Sequence, residues 1–248
     1  MTLTVALVGS DGIVAATDSR GTFGDPRGTT AQNDTMQKLF GVTDSAVILA
    51  AGTAELGGQL MVEIQRRIAD EQAVAVTRVM ELTRETARAR YADWFPSFLI
   101  QPVQGAAAPV RPGLQMIVTG YDAAADGTFV VPRIYQLASE YDFAPMLSGH
   151  GFALQGVPQY ALYLLNRLYT GDPTSAELQA LAAYVITETA SQDGKVGGPV
   201  QMATIRKADG CHILTVPEVE DVTRGNEQRS EQLRASFFAG RPKARRAP

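Results

Sequence analysis

Apolar residues alternate with small or polar residues in several short runs of the chain, the pattern of β-strands that bury one face. The runs come in pairs separated by turn residues, such as Asp11-Gly12 and Asp209-Gly210, which favour hairpins. The sequence therefore predicts four hairpins, which lie within residues 3–17, 37–50, 114–137 and 200–216.

The first hairpin also predicts a register. With Asp11-Gly12 as a two-residue turn, Val5 lies opposite Asp18 and Thr2 lies opposite Gly21. Strict alternation then places Asp18 on the opposite face of the sheet from Thr2, three residue pairs away. Hairpin register alone therefore does not bring these two side chains together.

Four other segments repeat their apolar residues at the three- and four-residue spacing of a helix. They occur as two consecutive pairs, and the last helix opens with a capping-box pattern, Thr174 followed three residues later by Glu177. The four segments are 60–68, 76–91, 160–168 and 178–189.

The order of elements is two hairpins, two helices, a hairpin, two helices and a hairpin. Hairpins make antiparallel sheets, and helix pairs cover sheet faces. We therefore predict an α+β fold, a four-layer α/β/β/α sandwich of two antiparallel sheets flanked by helix pairs. No repeat or break in composition divides the chain before the last hairpin, so residues 1–223 are expected to form a single domain.

Histidine and cysteine are too scarce for the commonest hydrolytic machinery. The chain has one cysteine, Cys211, and two histidines, His150 and His212. That excludes an intrachain disulfide and leaves a His/Cys metal site with almost no ligands. A Ser/His or Cys/His enzyme would have to use one of the two histidines as its base. We expect no metal and no cofactor.

Lysine is scarce as well, with four lysines against eighteen arginines. Lysine exchanges a proton when burial lowers its pKa, whereas arginine stays charged. A lysine inside the fold is therefore informative here.

Charge is unevenly distributed along the chain. The formal net charge is −4, yet residues 224–248 carry seven basic side chains and two acidic ones. The acidic body argues against nucleic-acid binding. The start lacks the basic region of a signal peptide, and no apolar run approaches ~20 residues. We expect a soluble, cytoplasmic protein without a membrane segment.

Two segments are expected to lack regular structure. Residues 95–113 contain four prolines and predict a long loop, which either gates a chamber, fills an interface or is a surface insertion. Residues 224–248 predict a disordered basic tail. This tail is either a solvated end or docks on a neighbouring subunit through Phe237 and Phe238.

Thr2 is the first candidate for chemistry. Methionine aminopeptidase is expected to remove Met1 before so small a residue, which would free the α-amine of Thr2. An N-terminal threonine combines a nucleophilic hydroxyl with an amine whose pKa, about 7.7–8.0, suits a base near neutrality. No histidine is then required, although threonine at this position is common and usually has no role.

Several spaced motifs give Thr2 more weight. They are Ala16-Thr17-Asp18-Ser19-Arg20, Lys38-Leu39-Phe40, Ala51-Gly52-Thr53-Ala54-Glu55, Gly120-Tyr121-Asp122 and Ser148-Gly149-His150-Gly151. Together with Thr2 they resemble the proteasome β-type and HslV-like family of N-terminal nucleophile threonine peptidases, over roughly residues 2–216. The resemblance implies the N-terminal nucleophile hydrolase fold.

The resemblance also implies roles. Thr2 would be the nucleophile, Lys38 the cation that eases deprotonation of its hydroxyl, and Asp18 the carboxylate that holds Lys38 and keeps it charged. A buried lysine without that carboxylate would tend to lose its proton. The alternative from the residues alone is an ordinary surface ion pair between Asp18 and Lys38.

Three further catalytic positions follow from the resemblance. Ser148 and Asp193 would orient the α-amine and a water molecule that relays the proton. The backbone N–H of Gly52, where a strand turns into a helix, would donate to the oxyanion. Val196 stands where the family has a serine, which puts part of this arrangement in doubt.

The resemblance places the substrate pocket around Gly21, Thr22, Met36, Ala50 and Ala54. The two alanines leave a roomy apolar cavity, which predicts a preference for large hydrophobic side chains before the cleaved bond. A Ser148/His150 pair is a competing nucleophile and base, but it lacks a third orienting partner.

The function implied is a threonine-type endopeptidase that cleaves peptides or unfolded proteins through an acyl-enzyme on Thr2. A homo-oligomeric ring or stack, working with an AAA+ unfolding ATPase, is the implied assembly. The alternatives are a catalytically weak structural ring subunit and an N-terminal nucleophile amidase that acts on a small amide.

Overall fold

A computed structural model describes residues 2–25, 28–96, 111–123 and 129–237. Within them the fold is α+β, with five α-helices and twelve strands. The helices are α1 (Ala54–Asp70), α2 (Val76–Trp94), α3 (Gln159–Leu168), α4 (Ser175–Gln192) and α5 (Val216–Phe237). The strands are β1 (Leu3–Val8), β2 (Ile13–Thr17), β3 (Gly21–Asp25), β4 (Gly28–Asn33), β5 (Leu39–Thr43), β6 (Ala46–Gly52), β7 (Leu114–Ala123), β8 (Phe129–Ala138), β9 (Met146–Leu147), β10 (Phe152–Gly156), β11 (Gln201–Arg206) and β12 (Gly210–Ile213).

The strands form two five-stranded antiparallel sheets and one separate hairpin. The first sheet has the order β10-β1-β2-β11-β12, and the second has the order β5-β6-β7-β8-β9. The hairpin is β3–β4. The four predicted hairpins are therefore present, and β1 is a central strand of its sheet because β10 and β2 flank it.

The register of the first hairpin differs from the prediction. Thr4 pairs with Thr17 and Val8 pairs with Ile13, so the loop holds four residues instead of two. Gly9 closes it by donating its N–H to the carbonyl oxygen of Gly12 at 2.7 Å. This shift moves Asp18 from three residue pairs away from Thr2 to the position beside Leu3, where the Asp18 N–H reaches the Leu3 carbonyl oxygen at 3.3 Å.

Three clusters of buried apolar residues make up the core. One joins α1 and α2 to the second sheet, through residues such as Ile64, Val79 and Val118. Another joins α3, α4 and α5 to the first sheet. The third contains residues of both sheets, among them Ala15 and Leu49. Alternating residues of β1 divide between clusters: Leu3, Val5 and Leu7 contact the helices, while Ala6 contacts the other sheet.

The predicted helices are present, and the predicted cap of α4 is confirmed. The Thr174 hydroxyl accepts a hydrogen bond from the backbone N–H of Glu177, and the Glu177 carboxylate accepts one from the Thr174 N–H at 2.8 Å. This reciprocal pair satisfies two of the amide groups that a helix start leaves unpaired.

The end of the chain departs from the prediction. We expected a strand to continue to Val216 and disorder from Arg224, but β12 ends at Ile213 and α5 runs from Val216 to Phe237. Glu218 starts this helix by accepting from the Thr215 N–H at 2.7 Å, which lowers the Glu218 pKa to about 2. Most of the predicted 95–113 loop, and residues 238–248 of the tail, lie outside the described residues.

Candidate active site

A cavity of about 680 Å³ opens where β1 begins and β6 ends. Its walls come from five stretches of chain: Thr2, the start of β3, the segment before β5, the turn from β6 into α1, and the start of β7. The cavity-lining residues are Thr2, Arg20, Gly21, Thr22, Phe23, Gly24, Met36, Gln37, Lys38, Phe40, Ala50, Ala51, Gly52, Thr53, Ala54, Glu55, Gly57, Gly58, Gly113 and Leu114. Of the eleven predicted site residues, eight lie on this surface.

Thr2 is held tightly at the edge of the cavity. It is 4% exposed, and its carbonyl oxygen accepts a hydrogen bond from the Val157 N–H at 2.9 Å. The preceding residue, Gly156, has a φ of +93°, and a Cβ atom there would overlap the Thr2 carbonyl oxygen. Only glycine combines this left-handed conformation with so close an approach. The end of β10 thus fixes the backbone of Thr2.

Asp18 lies directly after β2 and is fully buried. Its Oδ1 atom accepts from the Leu3 N–H at 3.0 Å, and its Oδ2 atom accepts from the N–H groups of Arg20 and Gly197 at 3.1 and 3.0 Å. Lys38 Nζ donates to Oδ1 at 2.9 Å. Every described partner is a donor, which is the environment that a buried carboxylate needs to remain charged.

Lys38 joins this carboxylate to the cavity. Its ammonium donates to Asp18 and, at 2.6 Å, to the carbonyl oxygen of Arg20, and its side chain is 9% exposed. Burial lowers the pKa of Lys38 below its usual value, and attraction to Asp18 offsets that effect only in part. Such a lysine exchanges its proton closer to neutral pH than a solvated one does. The surface ion-pair alternative does not fit a pair this deeply buried.

Gly52 ends β6 with a φ of +115°, two residues before α1 begins at Ala54. A Cβ atom at Gly52 would overlap the Gly113 carbonyl oxygen, which instead accepts from the Thr53 N–H at 2.9 Å. The amide dipoles at the start of α1 favour negative charge at this point of the cavity. The turn therefore offers an environment suited to an oxyanion.

The five predicted substrate-binding residues all line the cavity. Gly21 and Thr22 belong to β3, Ala50 to β6, and Ala54 is the first residue of α1. Met36 packs against Gly21 so closely that a Cβ atom on the glycine would lie 2.8 Å from the Met36 Cγ atom. Small residues and one thioether thus shape a largely apolar pocket.

Ser148 does not lie beside Thr2, contrary to the expectation. It follows β9, and its hydroxyl donates to the Phe152 carbonyl oxygen at 2.6 Å. Phe152 pairs with Leu7, five residues along β1 from Thr2, or about 16 Å at the rise of a strand. Because β10 runs antiparallel to β1, its end at Gly156 reaches Thr2 and its start does not.

Asp193 does not line the cavity either. It caps the end of α4, and its carboxylate accepts from the Lys195 N–H at 2.9 Å within its own turn. The same loop supplies Gly197, whose N–H reaches Asp18. Val196, which stands in place of the family's serine, is fully buried in the apolar cluster under the first sheet.

An arginine–aspartate fork at the cavity wall was missed by sequence reasoning. Arg20 donates to both carboxylate oxygens of Asp34 at 2.7 and 2.8 Å, and also to the Gly194 carbonyl oxygen at 3.2 Å. The hydrogen bonds from Arg20 lower the pKa of Asp34. Arg20 stood in one of the quoted motifs, but nothing in the sequence marked Asp34 as its partner.

The remaining candidate groups lie elsewhere. His212 Nε2 is 3.0 Å from Glu218 Oε1 on an exposed surface. Among residues 2–25, 28–96, 111–123 and 129–237, no group of three His, Cys, Asp or Glu side chains could hold a metal ion. In the same ranges no helix has the length and apolar character needed to cross a membrane.

Comparison with known proteins gives matches both in sequence and in structure. The chain is 26% identical over 229 residues to the proteasome subunit beta of Methanosphaera stadtmanae, covering 90% of this chain and 95% of that protein. Anbu from Yersinia bercovieri, described as an ancestral beta-subunit, matches with a TM-score of 0.69 at 17% identity, covering 98% of this chain and 99% of that one. An Anbu (Gly-1) mutant from Hyphomicrobium sp. strain MC1 matches with a TM-score of 0.69 at 16% identity, covering 98% and 100%.

No protein-family profile matches the chain. The sequence match supports the resemblance to the proteasome β-type family. It therefore also supports a hydrolase of the proteasome-like N-terminal nucleophile type. The structural matches show that the chain shares the Anbu fold.

Proposed function

We propose that this chain is a threonine-type endopeptidase whose nucleophile is Thr2, exposed as the N-terminal residue once Met1 is removed. The observation that carries the proposal is the buried ion pair of Asp18 and Lys38, whose lysine lines the same cavity as Thr2. A buried pair is unfavourable unless its groups are fully hydrogen-bonded. A fold that maintains such a pair beside a hydroxyl has the parts of an activated nucleophile.

The chemistry follows from these positions. The Thr2 hydroxyl attacks the peptide carbonyl, and its proton passes to the free α-amine, with the Lys38 ammonium stabilising the developing alkoxide. The N–H of Gly52 donates to the oxyanion beside the start of α1. The α-amine of Thr2 then passes the proton to the amine of the cleaved substrate, which leaves, and water hydrolyses the Thr2 ester. Asp18 holds Lys38 and does not contact the substrate.

Asp193 and Ser148 enter this scheme differently. We retain Asp193 as a residue that shapes the 193–198 loop, since Gly197 of that loop donates to Asp18. Ser148 has no place in the proton relay, because its hydroxyl lies at the far end of β1. The structure supplies Gly156 and Val157 at Thr2 instead.

The pocket suggests the substrate class. Gly21, Thr22, Met36, Ala50 and Ala54 would receive the side chain before the scissile bond, and their apolar surface favours a large hydrophobic residue. Peptides and unfolded protein segments present such side chains. Fluorogenic peptides ending in Leu or Tyr should be cleaved faster than those ending in Arg or Glu.

We also propose the architecture and assembly of the family. The three apolar clusters are the interiors of a four-layer α/β/β/α sandwich, with helix pairs outside two stacked sheets. The protein would form a homo-oligomeric ring or stacked ring in the cytoplasm and would receive substrates from an AAA+ unfolding ATPase. Sedimentation of the purified protein tests the ring.

Two measurements test the activity. Intact mass should show the loss of Met1, and a peptide epoxyketone, which reacts with both the amine and the hydroxyl of an N-terminal threonine, should add one molecule per chain. Thr2→Ala should abolish labelling and hydrolysis while leaving the thermal unfolding midpoint unchanged. A retained Met1 in an otherwise folded protein would contradict the proposal.

One observation favours a second candidate, a structural ring subunit with little activity. Val196 is fully buried where the family has a serine, and Ser148 is remote, so fewer hydroxyl groups surround Thr2 than the family pattern implies. Ring assembly without epoxyketone labelling would select this alternative. Labelling accompanied by hydrolysis only of small amides would select the amidase.

A further inference from the structure

Gln201 reaches from one sheet to the other beside the buried ion pair. It is the first residue of β11 in the first sheet, whereas the segment 36–39 leads into β5 of the second. Its Oε1 atom accepts from the N–H groups of Lys38 and Leu39 at 2.9 and 3.1 Å. Its Nε2 atom donates to the Met36 carbonyl oxygen at 2.6 Å. One side chain thus makes three hydrogen bonds to three residues of the 36–39 segment.

These contacts suit a glutamine. A primary amide offers an acceptor oxygen with two lone pairs and a donor nitrogen on the same planar group. Glutamate has the same shape but cannot donate to the Met36 carbonyl oxygen, and methionine has neither function. Without Gln201, three backbone groups of the 36–39 segment would need other partners.

The backbone of Gln201 is joined to the other half of the ion pair. Gln201 pairs with Thr17 in the first sheet, and Thr17 directly precedes Asp18. One residue therefore connects to the strand end that carries Asp18 through its main chain, and to the segment that carries Lys38 through its side chain. The same segment presents Met36 to the substrate pocket.

We infer that Gln201 is a positioning residue. It holds Lys38 against Asp18 at the wall of the cavity that contains Thr2, and it holds Met36 at the wall of the substrate pocket. This inference rests on the proposed function for its catalytic meaning. Gln201 does not line the cavity and acts only through the 36–39 segment. The charged groups around the Lys38 ammonium are Asp18, Asp34 and Arg20, and each comes from an element other than β11.

The test replaces Gln201 with methionine, of similar length, and with glutamate, of the same shape. A matched control is Gln179→Met, because Gln179 Nε2 also makes a partly buried hydrogen bond onto β11, to the Thr204 hydroxyl at 2.9 Å, away from the cavity. Thermal unfolding is recorded for all three. If one Gln201 variant fails to fold, the other still decides the outcome.

The kinetic readout is the separation of kcat from KM on a hydrophobic peptide. Misplaced reacting groups lower the rate of the chemical step, so we expect kcat of Gln201→Met to fall by about tenfold or more. The kcat of Gln201→Glu should fall as far, because the second carboxylate oxygen would face the Met36 carbonyl oxygen. Gln179→Met should stay within about twofold of the wild-type chain.

A second readout does not depend on activity. The chain has only four lysines, so the ε-carbon signals of labelled lysine can be followed by NMR across pH, and Lys38→Arg assigns the Lys38 signal. In Gln201→Met, the pH midpoint of the Lys38 titration should rise by about half a pH unit or more toward that of a solvated lysine, because water reaches the ammonium. Gln179→Met should leave it unchanged.

The two readouts separate the possible failures. If the wild-type chain neither labels nor hydrolyses peptides, the proposed function fails, and the Lys38 titration alone decides the role of Gln201. If folded Gln201 variants retain both kcat and the Lys38 midpoint, the inference is overturned. A shifted midpoint with a lowered kcat supports it.

Discussion

Lys38 donates a hydrogen bond to Asp18 at 2.9 Å, and neither side chain is more than 9% exposed. Around the carboxylate, the N–H groups of Leu3, Arg20 and Gly197 supply three further hydrogen bonds. Since Leu3 follows Thr2 in the chain, the same carboxylate fixes both the start of β1 and the lysine that lines one cavity with Thr2. Stability and the proposed activity therefore depend on the same pair.

Asp18→Asn should destabilise the protein strongly. The substitution leaves the Lys38 ammonium buried without its counter-charge, a change that costs about 3–5 kcal/mol of unfolding free energy at buried pairs. Denaturant unfolding measures the loss. Asp70→Asn is the matched control, because it breaks an exposed pair with Arg66 and should cost less than about 0.5 kcal/mol. Equal effects of the two substitutions would contradict the importance of burial.

Gly156→Ala should abolish epoxyketone labelling of Thr2. A Cβ atom at this residue would overlap the Thr2 carbonyl oxygen, so the nucleophile has to move. Gly171→Ala controls for backbone strain, because Gly171 also has a positive φ, of +75°, but has open space around a Cβ atom. Both variants should lose roughly 1–2 kcal/mol of unfolding free energy, because alanine is strained in the left-handed conformation. Normal labelling of folded Gly156→Ala would show that Thr2 tolerates the displacement.

Ala50→Leu should narrow the substrate pocket. The larger side chain would occupy part of the cavity, so hydrolysis of peptides ending in Tyr should slow by about tenfold, mainly through KM, while peptides ending in Ala are cleaved nearly as before. Ala89→Leu, at an exposed position on α2 outside the cavity lining, should leave both rates unchanged. A uniform loss on all peptides would point to distortion of β6 instead.

Cys211 should be a poorly reactive thiol. Burial, together with the nearby negative charge of Asp44, raises the pKa of Cys211 to about 11 from its usual value near 9. Alkylation by iodoacetamide at pH 8 should be about a hundredfold slower than in guanidinium-unfolded protein, because less thiolate is present. The raised pKa also means that stability contributed by the neutral thiol is lost as pH rises from about 9 through 11. Alkylation at the unfolded rate would contradict this.

Both histidines should be dispensable for hydrolysis. The His212 side chain has Glu218 as its one described hydrogen-bonding partner, on an exposed surface beyond the cavity. Neither His150 nor His212 lines the cavity. His150→Gln and His212→Gln should keep kcat/KM within about twofold of the wild-type chain, whereas Thr2→Ala should remove it. A large loss in either histidine variant would revive a histidine-dependent mechanism.

Much of the fold and part of the site were predictable from local signals. Alternation of apolar residues identified the hairpins, three- and four-residue spacing identified α1 to α4, and Thr174 with Glu177 marked a helix start. Composition excluded most alternatives to Thr2, since the chain has one cysteine and two histidines. These signals succeed because secondary structure and capping depend on residues close together in the chain.

Other features depended on contacts between distant residues. Alternation fixes which face of a strand a residue occupies, but the four-residue loop of the first hairpin set which residues pair, and so placed Asp18 beside Leu3. For the same reason Ser148 was assigned to the wrong end of β1, since only the pairing of β10 with β1 shows that Gly156 reaches Thr2. The α5 helix extends past Arg224, where local composition predicted disorder, and Asn226 in that region is buried and donates a hydrogen bond to the Ala180 carbonyl oxygen of α4.

The sequence by itself determined the chemical groups available: an early threonine, one lysine within a motif, and a glycine at a strand–helix turn. The tertiary structure decided their arrangement, because the two sheets that carry Thr2 and Lys38 are joined by residues far apart in the chain. Gln201 lies 163 positions from Lys38 and binds its backbone N–H, and Arg20 binds Asp34 across the β3–β4 hairpin. Side-chain hydrogen bonds of this range leave no periodic trace in a sequence, so only the folded chain reveals them.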